Sequence, residues 1–192
     1  MDDKALFKIQ CGLFVVGARH EEGFAGCIVD AFIQSTAYPA TVILCSQHPT
    51  LTNACIKAAG EFSVSVLRED ADPFVIALFG FQSTRQIQKW SLVPHRLQCG
   101  LPVLKEAAAW YICKVIFTHE LATHTLFHCE VKEAEQDVGE PLSYGYYREH
   151  LKSATIGAFQ AFKKAQAEKK AQGEGGGRVD IRCSGVRVRA ES

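Results

Sequence analysis

Long apolar runs are missing from this chain of 192 residues. No stretch of about 18 consecutive apolar residues occurs that could span a bilayer as a helix. The opening Met1-Asp2-Asp3-Lys4 places acids where a secretory signal carries a basic segment and then a long apolar one, so a cytoplasmic protein with no membrane partner is expected. The eight cysteines include no C-x-x-C pair, and most lie inside apolar runs, where a thiol packs as a small hydrophobe. Reduced, buried thiols in a reducing compartment are therefore expected. The glycine-rich fingerprints of dinucleotide-binding and P-loop proteins are absent, and so is the G-x-S-x-G elbow of the α/β-hydrolases. His119 and His124 are five apart within a strand-like stretch, whereas a zincin needs histidines four apart on a helix, so no metal is expected.

Net charge is also missing, since 21 basic residues balance 21 acidic ones. The balance is uneven along the chain: residues 1–151 hold 12 Lys and Arg against 17 Asp and Glu, and residues 152–192 hold 9 against 4. Lys163-Lys164 and Lys169-Lys170 are read as the solvated side of a helix rather than a nucleic-acid contact, and no nucleic-acid partner is expected.

What is present is strand signal and core material. Hydrophobic residues make up 47% of the chain and include 12 Phe, enough to fill one substantial core. β-Branched and aromatic runs at 13–18, 27–35, 41–46, 62–67, 110–118 and 125–131 predict six strands and a mainly β fold, closed or partly open as a barrel. Two short helices have legible ends. Thr50 or Thr52 can cap the first and Gly60 can stop it, while Asp72-Pro73 starts the second and Gly80 ends it. An Ala/Lys/Gln-rich segment at 153–171 predicts a helix that turns Ile156, Phe159 and Phe162 toward the body. The expected organisation is a domain at 1–151, a helix at 152–172 and a flexible basic tail at 173–192 that opens with a Gly-rich break.

Several ordered landmarks carry a resemblance. Gly26-Cys27-Ile28-Val29-Asp30-Ala31-Phe32-Ile33-Gln34-Ser35-Thr36 precedes Tyr38-Pro39, and Thr50-Leu51-Thr52-Asn53 opens a helix. Phe79-Gly80-Phe81-Gln82-Ser83-Thr84-Arg85 follows, then Gly100-Leu101-Pro102-Val103-Leu104, His124-Thr125-Leu126-Phe127 and Pro141-Leu142-Ser143-Tyr144-Gly145-Tyr146-Tyr147. Over roughly residues 5 to 150 this order resembles the flavin reductase-like family, which includes flavoredoxins, NAD(P)H:flavin oxidoreductases and the flavin domain of high-molecular-weight rubredoxins. The resemblance implies an FMN-binding split β-barrel. It implies a homodimeric oxidoreductase that passes electrons from NAD(P)H to flavin, ferric iron or a redox protein.

The same resemblance distributes the site. Cys27, Ile28, Val29, Asp30 and Ala31 are candidates for the edge of the flavin ring, with Gln34, Ser35 and Thr36 further along the same strand. Ser46, Thr50, Thr52, Ser83 and Arg85 are candidates around the phosphate and ribityl chain, although Thr50 and Thr52 are equally ordinary helix caps. Gly26 is expected to let the ring edge approach closely. His124 is the catalytic candidate, because an imidazole can stabilise negative charge on a reduced ring. Tyr144, Tyr146 and Tyr147 can shield the ring or line a dimer seam. Asp30, Thr50 and Thr84 depart from the asparagine, asparagine and glycine more common in the family. They support a second reading, a non-catalytic flavin- or heme-binding carrier or a degenerate barrel acting as an interaction module. Arg182-Cys183-Ser184 faintly resembles the start of a rubredoxin module, but without a C-x-x-C pair no iron site is expected there.

Overall fold

The computed structural model describes residues 2, 5, 8–21 and 23–171. Its first compact unit is Met1–Phe159, and its second, Gln160–Ser192, carries the remainder of the last helix as far as Ala171. The predicted basic tail, with Cys183, lies outside the described residues.

Among the described residues there are nine strands. β1 (Phe14–His20), β2 (Gly23–Val29), β3 (Phe32–Thr36), β4 (Thr41–Gln47), β5 (Glu61–Val66), β8 (Ala109–Glu120) and β9 (His124–Gln136) form one antiparallel sheet in the order β2-β1-β5-β8-β9-β4-β3. β6 (His95–Gln98) and β7 (Leu101–Leu104) form a separate hairpin. β2 and β3 follow one another in sequence, yet they stand at opposite edges of the sheet. Only Asp30 and Ala31 join them, so the sheet must curl until its two edges meet at that link. This is the split β-barrel. The expectation of one strand through 27–35 is corrected here: the chain leaves β2 after Val29 and enters β4's side of the barrel at Phe32, and Ala31 O already accepts a hydrogen bond from Cys45 N at 2.9 Å.

The barrel interior is filled where inward positions of several strands converge. Val16 and Ala18 of β1, Leu44 of β4, Phe62 and Val64 of β5, Cys113 of β8 and Phe127 and Cys129 of β9 are all fully enclosed, and Ile56 of the first helix joins them. Burial alternates at the start of β8 and through most of β9, as a two-residue repeat on a one-sided sheet requires, and from Lys114 onward most of β8 is exposed.

α1 (Leu51–Ala59) starts where Thr50 Oγ1 accepts a hydrogen bond from Asn53 N at 3.1 Å. It stops at Gly60, whose φ of +70° suits glycine and lets its N–H reach Ile56 O. Thr50, not Thr52, is thus the cap. α2 (Pro73–Phe81) starts as expected at Asp72, which accepts from Phe74 N at 2.8 Å, and runs one residue past Gly80. A helical turn at Tyr144–Tyr146 and a π-helical turn at Tyr147–Leu151 lead into the last helix, Lys152–Ala171. Its inward stripe is set by Thr155, which is fully buried, and Phe159, whose ring meets Phe81 edge-on at 5.5 Å. Ile156 lies one position off that stripe and stays 41% exposed, so the expected inward placement fails for it.

Candidate functional site

The link between β2 and β3 forms one wall of a cleft of about 290 Å³. The end of β2 contributes Cys27, Ile28 and Val29, and Asp30 follows at the link; the end of β4 contributes Cys45, Ser46 and Gln47 opposite them. His124 at the start of β9, Gly80 and Phe81 at the end of α2, and Tyr144 and Tyr147 complete it. Antiparallel pairing explains the convergence, because Ser46 faces Thr125 and Gln47 faces His124 across the β4–β9 ladder. The rings of Tyr144 and Tyr147 lie nearly parallel, at 18° with centroids 5.9 Å apart. Burial pushes the Tyr147 hydroxyl above its ordinary pKa, with Thr155 hydrogen-bonded to it.

A second cleft, of about 270 Å³, adjoins the first. The two share Cys27, Thr50, Gly80 and Phe81, and the second adds Thr52, Ser83, Thr84, Arg85 and Lys89. Together they form one continuous groove with an apolar and aromatic end and a basic, hydroxyl-rich end. Each half alone falls at the lower limit of a cofactor pocket, and the joined groove lies within the usual range of roughly 300–1,000 Å³.

The hydrogen-bonding state of each candidate defines what it has left to offer. Thr50 has committed its hydroxyl proton, donating to Gln47 O at 2.9 Å while it caps α1, so it has no donor left for a ligand. Thr52 is buried and hydrogen-bonded to the Cys27 thiol, which burial drives above its ordinary pKa despite that bond and the nearby Lys89 charge. Ser83 Oγ accepts from Arg85 N at 3.2 Å, and Arg85 Nη1 donates to Pro49 O at 3.2 Å, which leaves further guanidinium donors for an anion. His124 Nδ1 lies 2.7 Å from Thr123 Oγ1, so its Nε2 is the ring atom not engaged in that contact. Ser46 Oγ is buried on the cleft wall and has no partner among the described residues. Buried polar atoms are ordinarily hydrogen-bonded, so this hydroxyl is an exception within the core.

Four candidates lie elsewhere. Ala31, in the link before β3, and Gln34, Ser35 and Thr36, on β3 as it runs away along the other sheet edge, line neither half of the groove. Gln34 instead lines an apolar hollow with Phe14, Phe32 and Tyr111, and Ser35 contacts Thr41 Oγ1 at 2.7 Å. The expected role of Gly26 also changes. A Cβ there would meet Phe79 at 2.7 Å and the Trp90 indole nitrogen at 2.8 Å, so the missing side chain admits the protein's own rings.

One residue escaped the sequence reading. Lys89 is 2% exposed, and its Nζ donates to Gly26 O at 2.9 Å and Phe79 O at 3.3 Å, tying β2 to the end of α2. Burial pulls its pKa down to about 8, with the Cys27 sulfur pulling weakly the other way. Trp90 beside it donates to Ala25 O at 3.1 Å. Nothing in Gln88-Lys89-Trp90 marks the lysine as buried.

The groove is built from the landmarks that carried the resemblance, and a family model described as a flavin reductase like domain matches residues 6–155. The chain belongs to this family. A high molecular weight rubredoxin of Moorella thermoacetica is 30% identical over 158 residues, which are 81% of this chain and 69% of that protein. A ferric-chelate reductase (NAD(P)H) of Archaeoglobus fulgidus is 31% identical over 159 residues, 81% of this chain and 94% of that one. Among solved structures, the flavin reductase of styrene monooxygenase from Pseudomonas putida S12 superposes with a TM-score of 0.65 at 28% identity, covering 74% of this chain and 91% of its own. Among the described residues of this flavin reductase-like chain, no three His, Cys, Asp or Glu side chains gather as a metal site, and no helix is long and apolar enough to cross a membrane.

Proposed function

We propose that the protein is an FMN-dependent oxidoreductase that takes electrons from a reduced nicotinamide dinucleotide and hands them to free flavin, ferric iron or a redox-protein acceptor. The observation that carries this reading is the groove at the β2–β3 link in a chain of the flavin reductase-like family. Its donor set suits FMN. Arg85, Ser83 and Thr52 would face the phosphate end, Ser46 would satisfy its orphan hydroxyl on the ligand, and Ile28, Val29, Tyr144 and Tyr147 would bed the ring. Bound FMN supplies the hydride-accepting centre, so the protein needs no acid–base dyad of its own.

The chain's residues then have three tasks. The main chain of β2 holds the cleft wall in place, because Lys89, Thr84 and Trp90 bind the backbone of Ala25 and Gly26. The stacked tyrosines exclude water from one side. His124 presents a nitrogen at the mouth, where it can donate to a ring that gains negative charge. Two exposed apolar sites, Ile33 with Tyr38 around β3 and Ile116 with Phe117 on β8, support a homodimer. Seven free cysteines among the described residues support a reducing, cytoplasmic setting.

The test is spectroscopic. Purified protein reconstituted with FMN should show bound-flavin absorption, bleach on addition of NADH or NADPH under argon, and recover colour when ferric chelate or free flavin is added. Flavin that binds and stays oxidised would favour the carrier reading, which Asp30 on the cleft wall supports because a carboxylate opposes charge on a reduced ring. Protein that takes up no FMN would rule out the oxidoreductase and the flavin carrier and would favour the heme-carrier or degenerate-barrel reading. Sedimentation of the full chain tests the dimer.

A further inference from the structure

Three neighbouring strands present one row of side chains beside the groove. Glu120 of β8 stands opposite Thr125 of β9, and Thr125 stands opposite Ser46 of β4. Paired positions put their side chains on the same face of a sheet. The Glu120 carboxylate joins four elements there: it accepts from Thr125 Oγ1 at 3.1 Å, pairs with Lys57 Nζ of α1 at 2.8 Å, and meets His48 Nε2, one residue beyond β4, at 3.0 Å. Glu120, Lys57 and His48 line neither half of the groove. We infer that Glu120 is a positioning residue that fixes where His124 stands at the groove mouth, by strapping His48 across the start of β9; the inference rests on the reading of His124 as the side chain that meets the flavin.

β4 and β8 flank β9 on either side, so the bond from His48 to Glu120 passes over the strand that begins at His124. The turn that delivers His124, Leu121-Ala122-Thr123, is exposed. His48 holds this turn through the main chain as well, donating from its N to Thr123 O at 3.1 Å, and Thr123 Oγ1 lies 2.7 Å from His124 Nδ1. His48 thus grips the turn with its backbone while Glu120 grips His48 by its ring. From below, Asn53 of α1, one helical turn before Lys57 and 2% exposed, donates from Nδ2 to Ser46 O at 3.0 Å, so the same helix ties down the end of β4. The Lys57 hydrogen bond holds the Glu120 carboxyl below its ordinary pKa, which keeps it ionised at neutral pH. Thr125 is fully buried, whereas the Glu120 side chain is 56% exposed. Ion pairs this exposed contribute little to folding, so the carboxylate's effect is on placement. Placement matters at a reacting ring, where a shift of about 1 Å can cost as much as a hundredfold in rate.

The test loads the full chain with FMN and follows its bleaching by NADH in an anaerobic stopped-flow instrument. Glu120→Ala is expected to slow reduction roughly five- to tenfold at saturating NADH, with the half-saturating NADH concentration within about twofold of wild type. Its urea midpoint should barely move. Glu120→Gln keeps an acceptor for Thr125 and Lys57 and should fall between the two. Placed in a His124→Ala background, Glu120→Ala should slow reduction no further, because the carboxylate acts through that ring. Equal slowing in both backgrounds, or a wild-type rate in Glu120→Ala, overturns the inference. A second measurement needs no flavin: in NMR spectra of the isotope-labelled apoprotein, Glu120→Ala should move the imidazole signals of His124 along with those of His48, while those of His95, packed against Trp90, stay in place. If NADH reduces no bound flavin, the oxidoreductase reading fails, and the His124 signals alone decide whether Glu120 sets the place of that ring; signals that do not move overturn the inference.

Discussion

At the scale of single residues, Lys89 concentrates the physics of this site. Its ammonium is buried against two carbonyl oxygens, and its pKa falls to about 8 because burial disfavours the charged form. In the unfolded chain an ordinary lysine titrates near 10.4. Between those values the unfolded state holds more protons than the folded one, so unfolding free energy rises with pH across about pH 8 to 10, by at most about 1.4 kcal/mol per pH unit. Below pH 8 the protein carries the full cost of burying the charge. Urea titrations of wild type and Lys89→Met at pH 7.5, 8.5 and 9.5 should therefore show the wild type gaining on the variant as pH rises, and parallel curves would contradict the assignment. Asp30 offers the opposite lesson. It is the sole carboxylate on the cleft wall among the described residues, so Asp30→Asn should bind FMN several-fold more tightly in a fluorescence-quenching titration, and unchanged affinity would show that the carboxylate turns away from the ring.

At the scale of elements, the seam between β2, α2 and the loop after it decides whether the groove keeps its shape. Gly26 is the contact point, and an alanine there would drive a methyl into Phe79 and Trp90, whose rings already pack edge-on at 4.8 Å. Gly26→Ala is expected to lose about 1–3 kcal/mol of stability by overpacking, measured by denaturant titration, with weaker FMN binding as the seam opens. The elements also show what the sequence disclosed. α1 and α2 were legible at their starts because Thr50 and Asp72-Pro73 act locally, through bonds to backbone two or three residues away. The break between β2 and β3 was hidden because the apolar run passes through Asp30-Ala31 without a glycine or proline, and only barrel closure divides it. The β6–β7 hairpin escaped for another reason. Cys99 and Gly100 both adopt positive φ, +49° and +72°, as a two-residue primed turn demands, but a cysteine is an unusual first member and Pro102 argues against a strand. Of the candidate residues, those on β2, on β4 and at His124 meet at one groove, while Gln34, Ser35 and Thr36 were assigned to it on the assumption of an unbroken strand.

At the scale of the whole molecule, thiol chemistry reports on how tightly the barrel is closed. Cys113 and Cys129 lie in its interior, with thiols raised by burial, that of Cys129 to about 12, whereas Cys99 is exposed at the β6–β7 turn. Iodoacetamide mapped by mass spectrometry should alkylate Cys99 in the folded protein and reach Cys113 and Cys129 only in denaturant. Alkylation of Cys113 under native conditions would mean that the sheet breathes.

The two-residue stitch at Asp30-Ala31 has a thermodynamic corollary. It is the direct chain link between the outermost strands, and its Asp30 lies on the groove wall, so occupancy and closure are linked functions. Any molecule bound across that stitch clamps the two margins together, and mass action converts its affinity into resistance to unzipping, growing with the logarithm of its concentration.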